Sequence, residues 1–160
     1  MNWLVPHLAG FQQAHPDISV RITTSNEMTD FARDGVDLAI RWGQGKGPGL
    51  RTDHLVGQAV FPIRSPALRD APPGLERPED LAVVTLLHAG IWPQNWRMWL
   101  TAEGVADKVD ASKGPEFEDK LTAMEAAIDG QGVATGWSTL IERELESGRL
   151  VIPFYIALGD

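Results

Sequence analysis

Ile18-Ser19-Val20-Arg21-Ile22 and Val36-Asp37-Leu38-Ala39-Ile40-Arg41 are the two stretches on which the fold class turns. The first alternates strictly between apolar and polar side chains, the period-two signature of a half-buried strand. The second puts Val36, Leu38 and Ile40 on one face and ends on Arg41. Between them, Thr23-Thr24-Ser25-Asn26 supplies several helix caps, and residues 28–33 are expected as a short helix closed by Gly35. Strand, helix and strand within about two dozen residues make a βαβ unit, which implies a parallel sheet.

The same alternation continues outward. Upstream, residues 3–14 are expected as a helix, with Leu4, Leu8 and Phe11 at the i, i+4, i+7 spacing of one apolar face. Pro6 fits its first turn, and His15-Pro16-Asp17 stops it. Downstream, residues 55–63 read as a longer strand, Ser65-Pro66 as a helix start, and residues 77–81 as a helical turn. Residues 83–88 form an apolar strand, 93–102 a tryptophan-rich helix and 114–118 a short strand. Asp119 caps a helix to Asp129 with Leu121, Met124 and Ile128 on one face. Residues 133–137 are a strand, Ser138 caps a helix over 139–146, and 150–152 are a final strand before Pro153. Elements that alternate throughout argue an α/β fold, with ligands expected at the carboxyl ends of strands.

Composition narrows the function. The 160 residues are 43% hydrophobic and 22% charged, an ordinary globular balance. Without a cysteine there is no disulfide, thiolate chemistry or cysteine-based zinc site. The net charge of −8 repels phosphate, so any action on DNA must belong to another part of the protein. No apolar run approaches a membrane span, and the first residues lack a signal peptide's basic and apolar regions.

The run from Gly43 to Gly49 resembles a phosphate loop in composition, but no helix start follows it, so it reads as a surface loop. The four histidines have no ligand spacing, and no metal site or cofactor is expected. No Gly-x-Ser-x-Gly elbow is present, and Glu116, Glu118 and Asp119 read as solvated capping, so no catalytic residue is expected. Trp92, Trp96 and Trp99 read as a core stripe. Trp42 and Trp137 directly follow strands and stand open between core and ligand contact. Arg41 is placed to grip a carboxylate or to pair with a neighbouring acid such as Asp37.

In their order, five segments resemble the regulatory domain of LysR-type transcriptional regulators. They begin at Trp3-Leu4-Val5-Pro6-His7-Leu8, Phe31-Ala32-Arg33-Asp34-Gly35, Phe61-Pro62-Ile63-Arg64-Ser65, Gly130-Gln131-Gly132-Val133-Ala134 and Gly148-Arg149-Leu150-Val151-Ile152. The wording Asp34-Gly35-Val36-Asp37-Leu38-Ala39-Ile40-Arg41 is most similar to the branch containing the glycine-cleavage activator. The resemblance implies a two-lobe, periplasmic-binding-protein-like (type 2) fold, truncated at both ends. Residues 1–62 and 150–160 would form the first lobe and 63–149 the second. It implies an effector site at Thr24, Ser25, Asn26, Arg41, His88 and Trp137, and a homodimer interface at Leu4, Leu8 and Phe11. It also implies a cytoplasmic sensor of a small-molecule effector, such as a carboxylate or amino acid, with DNA bound through a helix-turn-helix domain absent from these residues. The rival readings are a solute-binding protein fragment of a transport system, an enzyme on a similar scaffold, and a remnant that binds nothing.

Overall fold

Among the described residues, ladder pairing begins at residue 60, not at residue 18. The computed structural model describes residues 4–25, 27–43, 45, 47–68, 74–90 and 95–154. They divide into two compact units, one over Leu4–Val56 and one from Gly57 onward.

Among its described residues the smaller unit holds one regular element, helix α1 (Leu4–Ala14), none of whose residues is buried. The expected strands at 18–22 and 36–41 do not form ladders among the described residues, and Ile18, Leu38 and Ile40 are exposed. Alternation marks a face for burial, but a strand also needs a partner for its backbone groups. The expected helix at 28–33 is instead a single turn. Asp30 O accepts from Arg33 N at 3.1 Å and Asp34 N at 2.8 Å, while Asp30 Oδ1 accepts from Ala32 N at 3.1 Å. An aspartate carboxylate taking a local N–H competes with helix propagation, and six residues offer little to oppose it. The expected surface loop at 43–49 is followed by no helix, and Thr52 Oγ1 donates to Gly45 O at 2.7 Å.

The larger unit carries strands β1 (Val60–Ile63), β2 (His88–Ala89), β3 (Glu116–Phe117) and β4 (Ala134–Trp137). Its helices are α2 (Asn95–Ala102), α3 (Lys120–Ile128) and α4 (Ser138–Glu146). Short 3-10 turns occupy Pro66–Leu68 and Pro78–Val83. β2 and β3 pair in parallel, with α2 in the connection, so the βαβ unit sits here rather than at 18–41. β1 and β4 pair antiparallel, from Val60 opposite Trp137 to Ile63 opposite Ala134. A parallel bridge between Leu86 and Val133 and an antiparallel one between Arg64 and Val151 extend these ladders. Gly132 is required beside the first bridge, because a Cβ there would come within 2.4 Å of Thr85 O.

Two apolar clusters hold this unit. Trp96, Trp99 and Leu100 on α2 bury against Leu86, Val133 and Phe154. The Trp96 and Trp99 rings meet edge to face at 6.3 Å, and Trp96 Nε1 donates to Leu87 O at 3.0 Å. These two tryptophans are therefore core, as expected, while Trp92 lies outside the described residues. Ile63, Met124, Ala127, Ala134, Ile141 and Leu150 form the second cluster.

Two helix details depart from expectation. On α3 the buried residues are Ala123, Met124, Ala126 and Ala127, whereas Leu121 is 42% exposed. Small alanines let the helix approach the sheet closely, so the contact face is set by them rather than by the larger Leu121. On α4 the N-cap is Trp137, and Ser138 is the first helical residue. Its hydroxyl is used elsewhere, accepting from Ala59 N at 3.2 Å.

Trp99→Ala is expected to lower unfolding free energy by about 3–5 kcal/mol, since it empties a fully buried aromatic site. Arg97→Ala, on the exposed face of the same helix, is expected to change it by under about 0.5 kcal/mol. Urea titration followed by near-UV circular dichroism reads both.

Candidate functional site

The sequence-selected residues fall into two groups, one in each unit. In the smaller unit Thr24 and Ser25 are exposed, and Asn26 lies outside the described residues. Ser25 Oγ accepts from Glu27 N at 3.0 Å, a local turn that fixes the loop. Arg41 is exposed and its Nη1 donates to Ser25 O at 3.0 Å. Arg41 is thus brought to the Thr24–Ser25 loop and does not pair with Asp37. Its remaining guanidinium donors face solvent-accessible space, where a carboxylate can take two of them.

In the larger unit, His88 is half-buried on β2 and its Nε2 lies 2.9 Å from Lys113 O. A carbonyl only accepts, so Nε2 is the donor in this contact. Trp137 is buried at the end of β4, at 7% exposure. The Nζ of Lys120 lies 3.1 Å from the centroid of its ring.

That pair lines a pocket between α3, β4 and α4, with Met124, Gly136, Leu140 and Ile141 among its walls. Its cavity volume is about 10 Å³, room for about one water and far below the ~300–1,000 Å³ usual for a small-molecule site. Gly136 keeps the floor low, because a Cβ there would meet Ile141 and Ile63 at 2.6 and 2.8 Å. His88 is not among the lining residues, so the structure does not join it to Trp137.

Lys120 was not singled out from sequence. Burial pushes its ammonium down to about 8 from the usual 10.5. The π face of Trp137 favours the charged form and offsets part of that cost. A readable signal existed: a lysine in the first turn sits against the positive end of the helix. The residue before it, Asp119, has the opposite fit, accepting from Leu121 N at 2.7 Å and Thr122 N at 2.9 Å. Hydrogen bonds from the backbone and hydroxyl of Thr122, then from the backbone of Leu121, hold its carboxyl below the ordinary aspartate value.

Among the described residues no group of three or more His, Asp and Glu is placed to hold a metal ion. None of the described helices is long and apolar enough to cross a membrane.

A family model described as "LysR substrate binding domain" matches residues 1–157. The chain belongs to the LysR substrate-binding domain family. Its fold class is accordingly the α/β, two-lobe, periplasmic-binding-protein-like type 2 class of LysR effector domains. It is 39% identical over 154 residues to the glycine cleavage system transcriptional activator of Escherichia coli K12, covering 96% of this chain and 50% of that protein. It is 35% identical over 159 residues to the transcriptional activator AmpR of Rhodobacter capsulatus, covering 99% and 53%. Among solved structures, the effector domain of AmpR from Pseudomonas aeruginosa superposes with a TM-score of 0.81 at 32% identity, covering 99% of this chain and 75% of that one. The LysR-type chain spans about half the length of the curated relatives it matches. These relatives are transcriptional regulators, and nothing in them favours the transport reading.

The lysine lends itself to a pH test. Between pH 8 and 10.5 the unfolded chain binds more protons at Lys120 than the folded one, so stability rises with pH across that window. Lys120→Met removes the desolvation cost. The variant is expected to melt above the parent at pH 7 in scanning calorimetry, with the difference shrinking towards pH 10.5.

Proposed function

We propose that this chain is the small-molecule sensing module of a LysR-type transcriptional regulator, a binding domain rather than an enzyme. The observation that carries the reading is the family match over residues 1–157 together with relatives that are named activators. DNA contact would fall to a helix-turn-helix domain elsewhere in the full protein, in keeping with a net charge of −8 on these residues and relatives twice as long. The protein would act in the cytoplasm. Effector binding would shift the populations of lobe arrangements and pass the change to the DNA-binding part.

The proposed effector contacts are Thr24, Ser25, Asn26, Arg41, His88 and Trp137, and the proposed effector is a carboxylate or amino acid. Arg41 supports this choice, because its guanidinium is anchored at Ser25 O with donors to spare. The proposed lobes are 1–62 with 150–160, and 63–149. Arg64 and Val151, one residue past each of the two proposed crossings, are paired in an antiparallel bridge.

A homodimer through α1 is part of the same proposal. Leu4 and Leu8 are half-buried and Phe11 is 41% exposed on a helix that buries no residue. Phe11→Asp is expected to shift the sedimenting species from dimer to monomer.

The functional test is a thermal-shift screen against organic acids and amino acids. A ligand that binds only the folded state at 100 times its Kd adds about 2.7 kcal/mol. A hit is expected to lose most of its shift in Arg41→Ala. A shift that survives that substitution would remove Arg41 from the site, and a wide panel of acids without any shift would count against an anionic effector.

A further inference from the structure

We infer that the α1 face that would seat a second copy carries a pH switch, with His15 as its titrating group. The inference rests on the homodimer proposed above and names how that contact would be regulated. It is independent of the effector residues.

The helix supplies the geometry. Its 11 residues include no Asp, Glu, Lys or Arg, although 22% of the chain is charged. A surface helix ordinarily turns charged side chains to water, and this one buries none of its residues. An uncharged helix suits cover by another surface. A chain of net charge −8 meets its own copy with least repulsion through such a face. His15 extends that face. Its N–H donates to Phe11 O at 2.9 Å, which carries the helical ladder one residue past Ala14. Leu4, Leu8, Phe11 and His15 then fall at i, i+4, i+7 and i+11, a single row. The His15 and Phe11 rings lie together, with centroids 4.9 Å apart. Whatever covers Phe11 therefore strips water from one side of the imidazole.

The chemistry sets the direction. A neutral imidazole has an apolar body and tolerates that loss, whereas an imidazolium is penalised by it. The titratable neighbours in sequence are His7 on α1 and Asp17, two residues on. Asp17 belongs to the same copy and favours the imidazolium in monomer and dimer alike. His7 adds a second positive charge to the helix when it is protonated. Histidine side chains ordinarily titrate near pH ~6.5. The dimer would then bind fewer protons than two monomers, so it is strongest above that pH and weakens as pH falls through it. The fall in the chain's negative charge over the same range acts in the opposite sense, because it relieves repulsion between copies. Weakening on acidification thus identifies the local effect.

Sedimentation equilibrium at about pH 8 and about pH 5.5, in about 0.15 M salt, tests the switch. The dimer Kd is expected to rise about tenfold or more at the lower pH, as two imidazoles take up protons on dissociation. His15→Gln keeps an uncharged polar side chain and is expected to remove that rise, while His54→Gln, outside α1, keeps it. Near-UV circular dichroism checks that the tryptophan core is intact. Dilution calorimetry at about pH 6.5 in phosphate and in imidazole, buffers of different ionisation heat, reads the proton uptake without acid. Unequal heats that become equal in His15→Gln are expected. A dimer whose Kd is unchanged or lower at the lower pH overturns the switch and leaves the homodimer standing. An equal rise in His15→Gln, or equal dilution heats in the parent, also overturns it. A monomer at both pH values overturns the homodimer and the switch together.

Discussion

The hydrogen bond from Trp96 Nε1 to Leu87 O joins the layers of the larger unit. Leu87 is fully buried, and its own N–H donates to Val133 O at 2.8 Å. One residue thus ties α2, the strand region at 86–89 and the start of β4. An indole N–H buried without an acceptor would cost about 1–3 kcal/mol, so the position of α2 follows from where Leu87 presents its carbonyl. Trp99 then fills the space beside it and stacks with Phe154 at 6.1 Å. Everything that positions Trp137, through Val133 and Ala134, is built on that arrangement.

How much was legible in the sequence depended on whether a segment is stabilised locally or by partners. α1, α3 and α4 were readable because caps, stops and periodicity are written within a single stretch, and Asp119 caps α3 as its side-chain chemistry demands. β4 was readable because Gly130-Gln131-Gly132 separates it from a helix. The segments at 18–22 and 36–41 have an equally clean pattern yet no ladder among the described residues. Periodicity states which side chains want burial. It does not supply the neighbouring backbone. Ser138 shows the same limit at the scale of one hydroxyl, since its role went to Ala59, 79 residues away.

The candidate site was legible in a similar, partial way. Arg41 and the loop at Thr24 and Ser25 were selected as strand-end residues, and Arg41 does reach Ser25 O. Trp137 was left open between core and ligand contact, and it is both buried and part of a pocket wall. Lys120 escaped notice because nothing in its neighbours announces Trp137, which is 17 positions on in the chain. Only its mismatch with the helix dipole hinted at a further role. His88 was chosen as a strand-end residue, and its ring lies within hydrogen-bond distance of the Lys113 carbonyl.

The long reach of the β1–β4 ladder has a consequence for how the protein acquires its site. β2 and β3 close a short excursion of chain, but Ala59 and Ser138 meet only after 79 residues have been arranged. Contacts between distant positions form slowly, because the chain entropy of closing the loop must be met before the pairing rewards it. The tryptophan cluster carries the same kind of cost, because Trp99 stacks on Phe154, 55 positions on in the chain. Ile63, Met124 and Ile141 belong both to the second apolar cluster and to the wall beside Trp137, so whatever breaks the β1–β4 ladder loosens core and pocket wall together.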